Sequence, residues 1–224
     1  MSLLHDTADH QPGAVRAVLL AAGSASRMGL RPKCLLERDG TPLVVRLIQQ
    51  LHQAGVAHVV VVLGHYADRI GAALDAMPEC PGLQLHRVLN PDPHAPQDAS
   101  LRLGLAALPQ GTDTVLVQLA DQPLLTSDDV GALLSVWAQR APGVGFLQPV
   151  HAGQPGHPVV LSWPVAQALR DAPPGQGGRQ WQQANPEQVW RWQAPHERFS
   201  SDVDRPEDIE RLARAGVTLR WPPQ

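Results

Sequence analysis

"AVRAVLLAAGSASRMGLRPKCLL", residues 14–36, begins as an apolar run interrupted only by Arg16 and then breaks into glycine, serine and basic residues. The first part reads as a buried strand. The chain leaves it with Arg27, Arg31 and Lys33 on one loop. Cations clustered around glycines point to an anionic ligand, because glycine lets the backbone approach it and the side chains offset its charge.

The neighbouring segments say what kind of strand this is. "HVVVVLG" (58–64), "LQLHRVL" (83–89) and "DTVLVQLA" (113–120) also read as strands, the first and third apolar enough to be covered on both faces. Between them, "PLVVRLIQQLHQAG" (42–55), "YADRIGAALDAM" (66–77) and "SLRLGLAALPQG" (100–111) carry apolar residues at helical spacing. Gly55 and Gly111 stand where left-handed C-caps belong, and Ser100 where an N-cap belongs. Strand and helix in alternation predict parallel crossover units. The expected fold is therefore α/β, a doubly wound, mostly parallel sheet with helices on both faces.

After "DQPLLTSDDVGALLSVWAQR" (121–140), in which Ser127 and Asp128 are placed to start a helix, the rhythm loosens. "GVGFLQPV" and "HPVVLS" read as two more strands. The Gly- and Pro-rich "DAPPGQGGRQ" follows, then "QVWRWQ" and a terminal helix, "RPEDIERLARAG". No linker is long or polar enough to separate a second domain. The expected organisation is a disordered N-terminal tail, 1–13, and a single domain, 14–224.

The chain has 224 residues, enough for a proper core, and a formal net charge of −3. That balance argues against a nucleic-acid or anionic-membrane surface. No apolar stretch approaches the ~20 residues needed to cross a bilayer. Cys34 and Cys80 are the only cysteines, without CxxC spacing, which fits a reducing, cytoplasmic setting. The ten histidines form no HxH or HExxH pair and most read as surface residues, and the six tryptophans read more as packing residues than as stacking platforms.

Three kinds of phosphate-binding loop compete for residues 22–33. A dinucleotide fold wants G-x-G-x-x-G, but only Gly23 and Gly29 are present. A P-loop wants its lysine beside the second glycine, and Lys33 is not there. The third reading is a loop whose glycine amides, with Arg27 and Lys33, surround a nucleoside triphosphate. A single Arg or Lys here would read as a solvated turn; the features together favour the ligand. Asp121 follows the fourth strand, at the edge where open α/β sheets bind ligands. Asp202 and Asp204, in "SDVDRPEDI", lie one turn before the last helix. Each could be a helix cap or, with Asp121, an oxygen ligand for magnesium beside phosphate oxygens.

The segment "LAAGSASRMGLRPKCLL" resembles the signature of MobA-like nucleotidyltransferases, in particular the molybdenum cofactor cytidylyltransferases. "NPDPHAPQDASLRLGL", "LADQP", "GHPVVL" and "SDVDRPEDIERL" continue the resemblance in order, from about residue 15 to 214. It implies a Rossmann-like transferase that moves CMP from CTP to the terminal phosphate of a molybdopterin-type acceptor and releases pyrophosphate, with Mg²⁺. A molybdoenzyme would receive the product. The alternatives are another NTP, another phosphorylated acceptor such as a sugar phosphate, or a non-catalytic nucleotide-binding protein.

The resemblance implies nucleotide contacts from Leu20, Ala21, Ala22, Gly23, Ser24, Arg27, Met28, Gly29, Lys33, Asn90 and Ser100. It implies an acceptor contact from His157, metal ligation by Asp121 with Asp204 or Asp202, and catalytic roles for Arg27, Lys33 and Asp121. Ala21-Ala22-Gly23 matches the cytidylyl rather than the guanylyl pattern. Two segments depart from it. Pro96 and Asp98 stand in a stretch that usually reads E-G-M-G-S-S-L, and Gln176 stands where G-D-x-G-A-R has an acid.

Overall fold

The structure, a computed structural model, describes residues 13–92 and 94–222. Residues 1–12 of the expected tail lie outside the described residues. In chain order the elements are β1 (Val15–Ala21), β2 (Glu37–Arg38), β3 (Thr41–Pro42), α1 (Leu43–Gln53), β4 (His58–Leu63), α2 (Ala67–Asp75), β5 (Gln84–Leu89), α3 (Gln97–Ala106), β6 (Thr114–Leu119) and α4 (Ser127–Ala138). There follow β7 (Phe146–His151), β8 (Gln154–Pro155), β9 (Val159–Ser162), α5 (Trp163–Arg170), α6 (Gly178–Ala184), β10 (Val189–Gln193), α7 (Pro206–Arg214) and β11 (Leu219–Arg220).

The main sheet runs β10-β7-β9-β6-β1-β4-β5, with β8 attached to β7. Pairing is parallel along β6-β1-β4-β5 and between β10 and β7; β9 runs antiparallel to β6 and β7. The doubly wound, mostly parallel sheet is as the alternation predicts, and the looser segment after residue 140 extends the same sheet. From β1 the chain winds outward through β4 and β5, then returns to place β6 on the other side of β1. The order reverses between β1 and β6, and ligands bind at the carboxyl ends of the strands beside such a reversal.

Period-two alternation in β1 feeds two cores. Ala17, Leu19 and Ala21 face α1, α2 and α4, while Val18, Leu20 and Ala22 face α3 and α5. Leucine and valine fill both layers because strands covered on both sides have no polar face. At Gly104, α3 lies so close to the sheet that a Cβ would meet the Val18 side chain and stand 2.9 Å from Val62 Cγ2.

Local signals are met differently in places. At α1, Gly55 takes φ 93° and the Val56 N–H donates to Leu51 O at 3.0 Å, a left-handed C-cap as expected. Helix α3 starts earlier than expected, after Pro96, and ends at Ala106. Gly111, φ 80°, therefore turns the chain toward β6 and caps nothing. Ser100 lies inside the first turns of α3. For α4 the cap is Thr126, not Ser127 or Asp128: Thr126 and Asp129 exchange backbone and side-chain bonds as a capping box.

A third, smaller core joins Met28, Leu36, Leu43, Val203, Leu212 and Leu219. It clamps α7 and the antiparallel β11-β2-β3 sheet onto the end of the basic loop. We expect Gly104→Ala to lower unfolding free energy by about 1–3 kcal/mol, the usual effect of overpacking. Urea unfolding should show an earlier midpoint at unchanged slope.

Candidate active site

The loop after β1 is stiffly built. A 3₁₀ turn, Ser26–Met28, is flanked by left-handed residues: Ala25 at φ 51°, Gly29 at φ 62° and Leu30 at φ 59°. Such conformations cost free energy in non-glycine residues and persist only where the surroundings enforce them. Two contacts do so. Met28 is buried in the third core, and the Tyr66 hydroxyl donates to the loop, 2.9 Å from Ser24 O and 2.8 Å from Leu30 O.

The three acidic residues come together through backbone stitching between the end of β6 and the segment before α7. The Val203 N–H donates to Asp121 O at 3.0 Å, and the buried Gln122 side chain donates to Phe199 O. Neither Asp202 nor Asp204 caps α7. Asp208 does, accepting from the N–H groups of Asp204 and Arg205, each at 2.9 Å. The two acids are thus free to face the cavity.

Lys33 stands between Asp121 and Asp204, with Nζ donating to Asp121 Oδ2 at 2.6 Å and Asp204 Oδ1 at 2.7 Å. Arg27, more exposed, pairs with the other Asp204 oxygen at 2.7 Å. Burial works against the Lys33 charge, but the two carboxylates outweigh it and raise its pKa. Burial likewise raises Asp204, yet Lys33 and Arg27 hold it below the usual carboxylate range. Asp202 is pushed up, first by burial and then by repulsion from Asp121 and Asp204. Cys34, next to Lys33, is buried and its thiol is raised to about 12 by desolvation, so it does not serve as a nucleophile.

These groups line a cavity of about 550 Å³ at the ends of β6, β1, β4 and β5. Leu20, Ala21, Ala22, Gly23, Ser24, Arg27, Met28, Lys33, Ser100, Asp121, Asp202 and Asp204 border it. Gly29 and Asn90 are not among its lining residues. Gly29 turns the loop, and buried Asn90 donates to Ser100 Oγ at 3.0 Å, holding the start of α3. His157 lies elsewhere, in a second cavity of about 940 Å³ between α3, α6 and strands β7 and β9. Leu20 and Gln97 border both cavities, so the two adjoin.

The second cavity explains the motif "GHP". A Cβ on Gly156 would meet the Phe199 backbone, and the His157 N–H donates to Phe199 O at 2.7 Å. Only glycine allows that approach. The two departing segments also meet here. The Asp98 carboxylate accepts the Gly175 N–H at 2.8 Å and pairs with Arg102, which together outweigh burial and lower its pKa. Asp98 and the glycine-rich loop of Gln176 therefore belong to the wall of the second cavity.

Sequence reading missed His65, Tyr66, His94 and Gln97. Their signal was position: His65 and Tyr66 directly follow the apolar run 58–64 at its carboxyl end.

A metal fits the first cavity on one structural observation: Asp121 Oδ1 is buried without a hydrogen-bond partner. An orphaned, buried carboxylate oxygen is costly unless a cation or donor completes it. Among the described residues no three His, Cys, Asp or Glu side chains gather as a complete ligand set. Two carboxylates completed by phosphate oxygens suit Mg²⁺.

Fold and site together define an α/β protein with a charged cavity at the switch point of a mostly parallel sheet. Residues 17–189 match the MobA-like NTP transferase domain, and the chain belongs to that family. The bifunctional protein GlmU of Sorangium cellulosum is 34% identical over 124 residues, covering 55% of this chain and 26% of that protein. The chain spans only about a quarter to a third of the first GlmU relatives it matches. The nicotine blue oxidoreductase of Paenarthrobacter nicotinovorans is 31% identical over 205 residues, 88% of this chain and 96% of that one.

The crystal structure of Rv0371c from Mycobacterium tuberculosis H37Rv has a TM-score of 0.72 at 24% identity, covering 90% of this chain and 98% of that one. The same protein has been solved in complex with manganese, with a TM-score of 0.63 at 22% identity over 90% and 99% of the two chains. Among the described residues no helix is long and apolar enough to cross a membrane.

The His157 ring is desolvated in its cavity wall and its pKa falls to about 4, against 6.5 for a free imidazole. Between those values the unfolded chain binds a proton that the folded chain does not, so stability falls as pH drops from 6.5 toward 4. Unfolding midpoints across that range should decline less steeply for His157→Gln than for the wild type.

Proposed function

We propose that this chain is a Mg²⁺-dependent cytidylyltransferase that transfers CMP from CTP to the terminal phosphate of a molybdopterin-type acceptor. The observation that carries the reading is Lys33 held between Asp121 and Asp204 at the sheet's switch point, with Asp121 Oδ1 left unpaired. A protein that only binds nucleotide has no need of these carboxylates.

Arg27 and Lys33 would hold the β- and γ-phosphates, exchanging carboxylate partners for phosphate oxygens. Asp121 with Asp204 or Asp202 would hold the metal, which supplies charge neutralisation at the α-phosphate when bound. Gly23 lets the backbone come close to the phosphates. A terminal phosphate oxygen of the acceptor attacks the α-phosphorus in line. The bond to the bridging oxygen breaks, and pyrophosphate departs with the electron pair. Positioning and charge do most of the work, so no covalent intermediate is needed.

The acceptor is assigned to the second cavity, where His157 stays neutral at physiological pH. Gln148, Gln180, Gln182, Phe146, Arg179 and Arg191 are among its lining residues, with Phe146 stacked on Trp181 and the Gln182 amide donating to Gln148 Oε1 at 3.1 Å. Arg179 and Arg191 supply positive charge for the acceptor's phosphate. The first cavity stands in contact with it, as transfer between two bound substrates requires. The product would pass to a molybdoenzyme.

Base choice rests on Ala22. It borders the first cavity and packs against Gly64, where a Cβ would stand 2.8 Å from the Ala22 Cβ, and its methyl takes room that a glycine would leave for a larger base. Discrimination by one methyl is modest, about 1–3 kcal/mol.

Asp121→Asn should abolish pyrophosphate release with CTP and molybdopterin while leaving the thermal unfolding midpoint near that of the wild type. Near-normal turnover at saturating Mg²⁺ would remove Asp121 from the metal site. With CTP and GTP at equal concentration, the cytosine dinucleotide product should dominate, and Ala22→Gly should shift the ratio toward guanine. A dominant guanine product in the wild type would overturn the base assignment and leave the reaction class standing.

A further inference from the structure

The first cavity has a direction. Leu20 pairs with Leu119, Ala21 with Leu63, and Leu63 with Leu89, so the carboxyl ends of β6, β1, β4 and β5 stand in register. Along that edge the cavity meets Asp121 after β6, the loop of Arg27 and Lys33 after β1, His65 after β4 and His94 after β5. Four adjacent strands span three spacings, about 14 Å, which suits an extended nucleoside triphosphate. All the cations of the cavity lie at the β6-β1 end, and that end takes the phosphates. The base is then carried to the β4-β5 end.

What stands there is a pair of imidazoles. His65 and His94 are the only aromatic rings among the residues lining the cavity. Their centroids are 4.8 Å apart and their planes meet at 87°, an edge-to-face contact. Such a contact occupies one face of one ring and leaves the others for a ligand. His65 is held in place, its Nδ1 lying 3.4 Å from Ala22 O with the carbonyl as acceptor. Gly64 permits that closeness, since a Cβ there would stand 2.6 Å from the same oxygen. Gln97, at the start of α3, lines the same end. An exposed ring, a half-buried one and an amide suit a stacked base with a hydrogen-bonding edge.

We propose that His65 and His94 form a clamp for the nucleobase at the β4-β5 end of the first cavity. The proposal rests on that cavity being the nucleotide site. The clamp supplies binding energy through the ring faces, while Ala22 limits the size of what enters.

The test separates base from phosphate. Titration calorimetry with Mg²⁺ would measure CTP and inorganic tripolyphosphate binding to the wild type, His94→Ala, His65→Ala and His94→Phe. The expected result is that wild type prefers CTP. Each alanine variant should lose CTP affinity by roughly 5- to 150-fold, the range for removing a ring from a stacked base. Tripolyphosphate affinity should stay within about twofold, which also reports that the variants are folded, and His94→Phe should keep most of the CTP affinity. Equal losses for both ligands, no loss for either, or equal wild-type affinities for both would overturn the clamp. A wild type that binds neither ligand would instead overturn the nucleotide reading of the cavity, and the clamp with it.

Discussion

Lys33 carries its charge into a place where 19% of its side chain meets solvent, and it is tolerated there because Asp121 and Asp204 stand 2.6 and 2.7 Å away. With two partners, losing one leaves Lys33 paired with the other, whereas losing both would strand a partly buried charge. The same contacts explain why the site is ready for a polyanion. Three carboxylates crowd one end of the cavity, two cations partly neutralise them, and one Asp121 oxygen remains unpaired. A metal ion with its triphosphate supplies both the positive charge the acids lack and the oxygens the two cations can turn to.

That arrangement depends on parts far from it. The Gln122–Phe199 and Val203–Asp121 contacts hold the acidic segment against the end of β6. The third core, with Met28 from the loop and Leu212 from α7, closes the same ring from the other side. Tyr66 fastens the loop to the end of β4. Each tie is modest alone, but together they hold left-handed residues such as Ala25 and Leu30 in place.

Much of the architecture was legible because it follows from local pattern. The near-continuous apolar runs at 58–64 and 113–120 became the inner strands β4 and β6, each covered on both faces. The basic loop and Asp121 could be placed on one edge because parallel crossovers bring every such loop to the same end. Helix ends were less legible. Thr126 took the cap from Ser127, and Pro96 advanced the start of α3 past Ser100. Caps are decided by which side chain reaches a free N–H, a matter of one residue's geometry.

By itself the sequence determined the fold class, the strand-end position of the loop, and the residue types able to meet a phosphate and a metal. Periodicity and spacing are local properties, and the chain carries them wherever it folds. Only the tertiary structure decided which acid touches Lys33, that Asp208 rather than Asp202 or Asp204 caps α7, and that Asp98 and the loop of Gln176 wall the second cavity. It also decided that His65 and His94 meet at the far end of the first. Those contacts join residues distant in the chain, and their distances are set by strand order and helix packing, which no local pattern encodes.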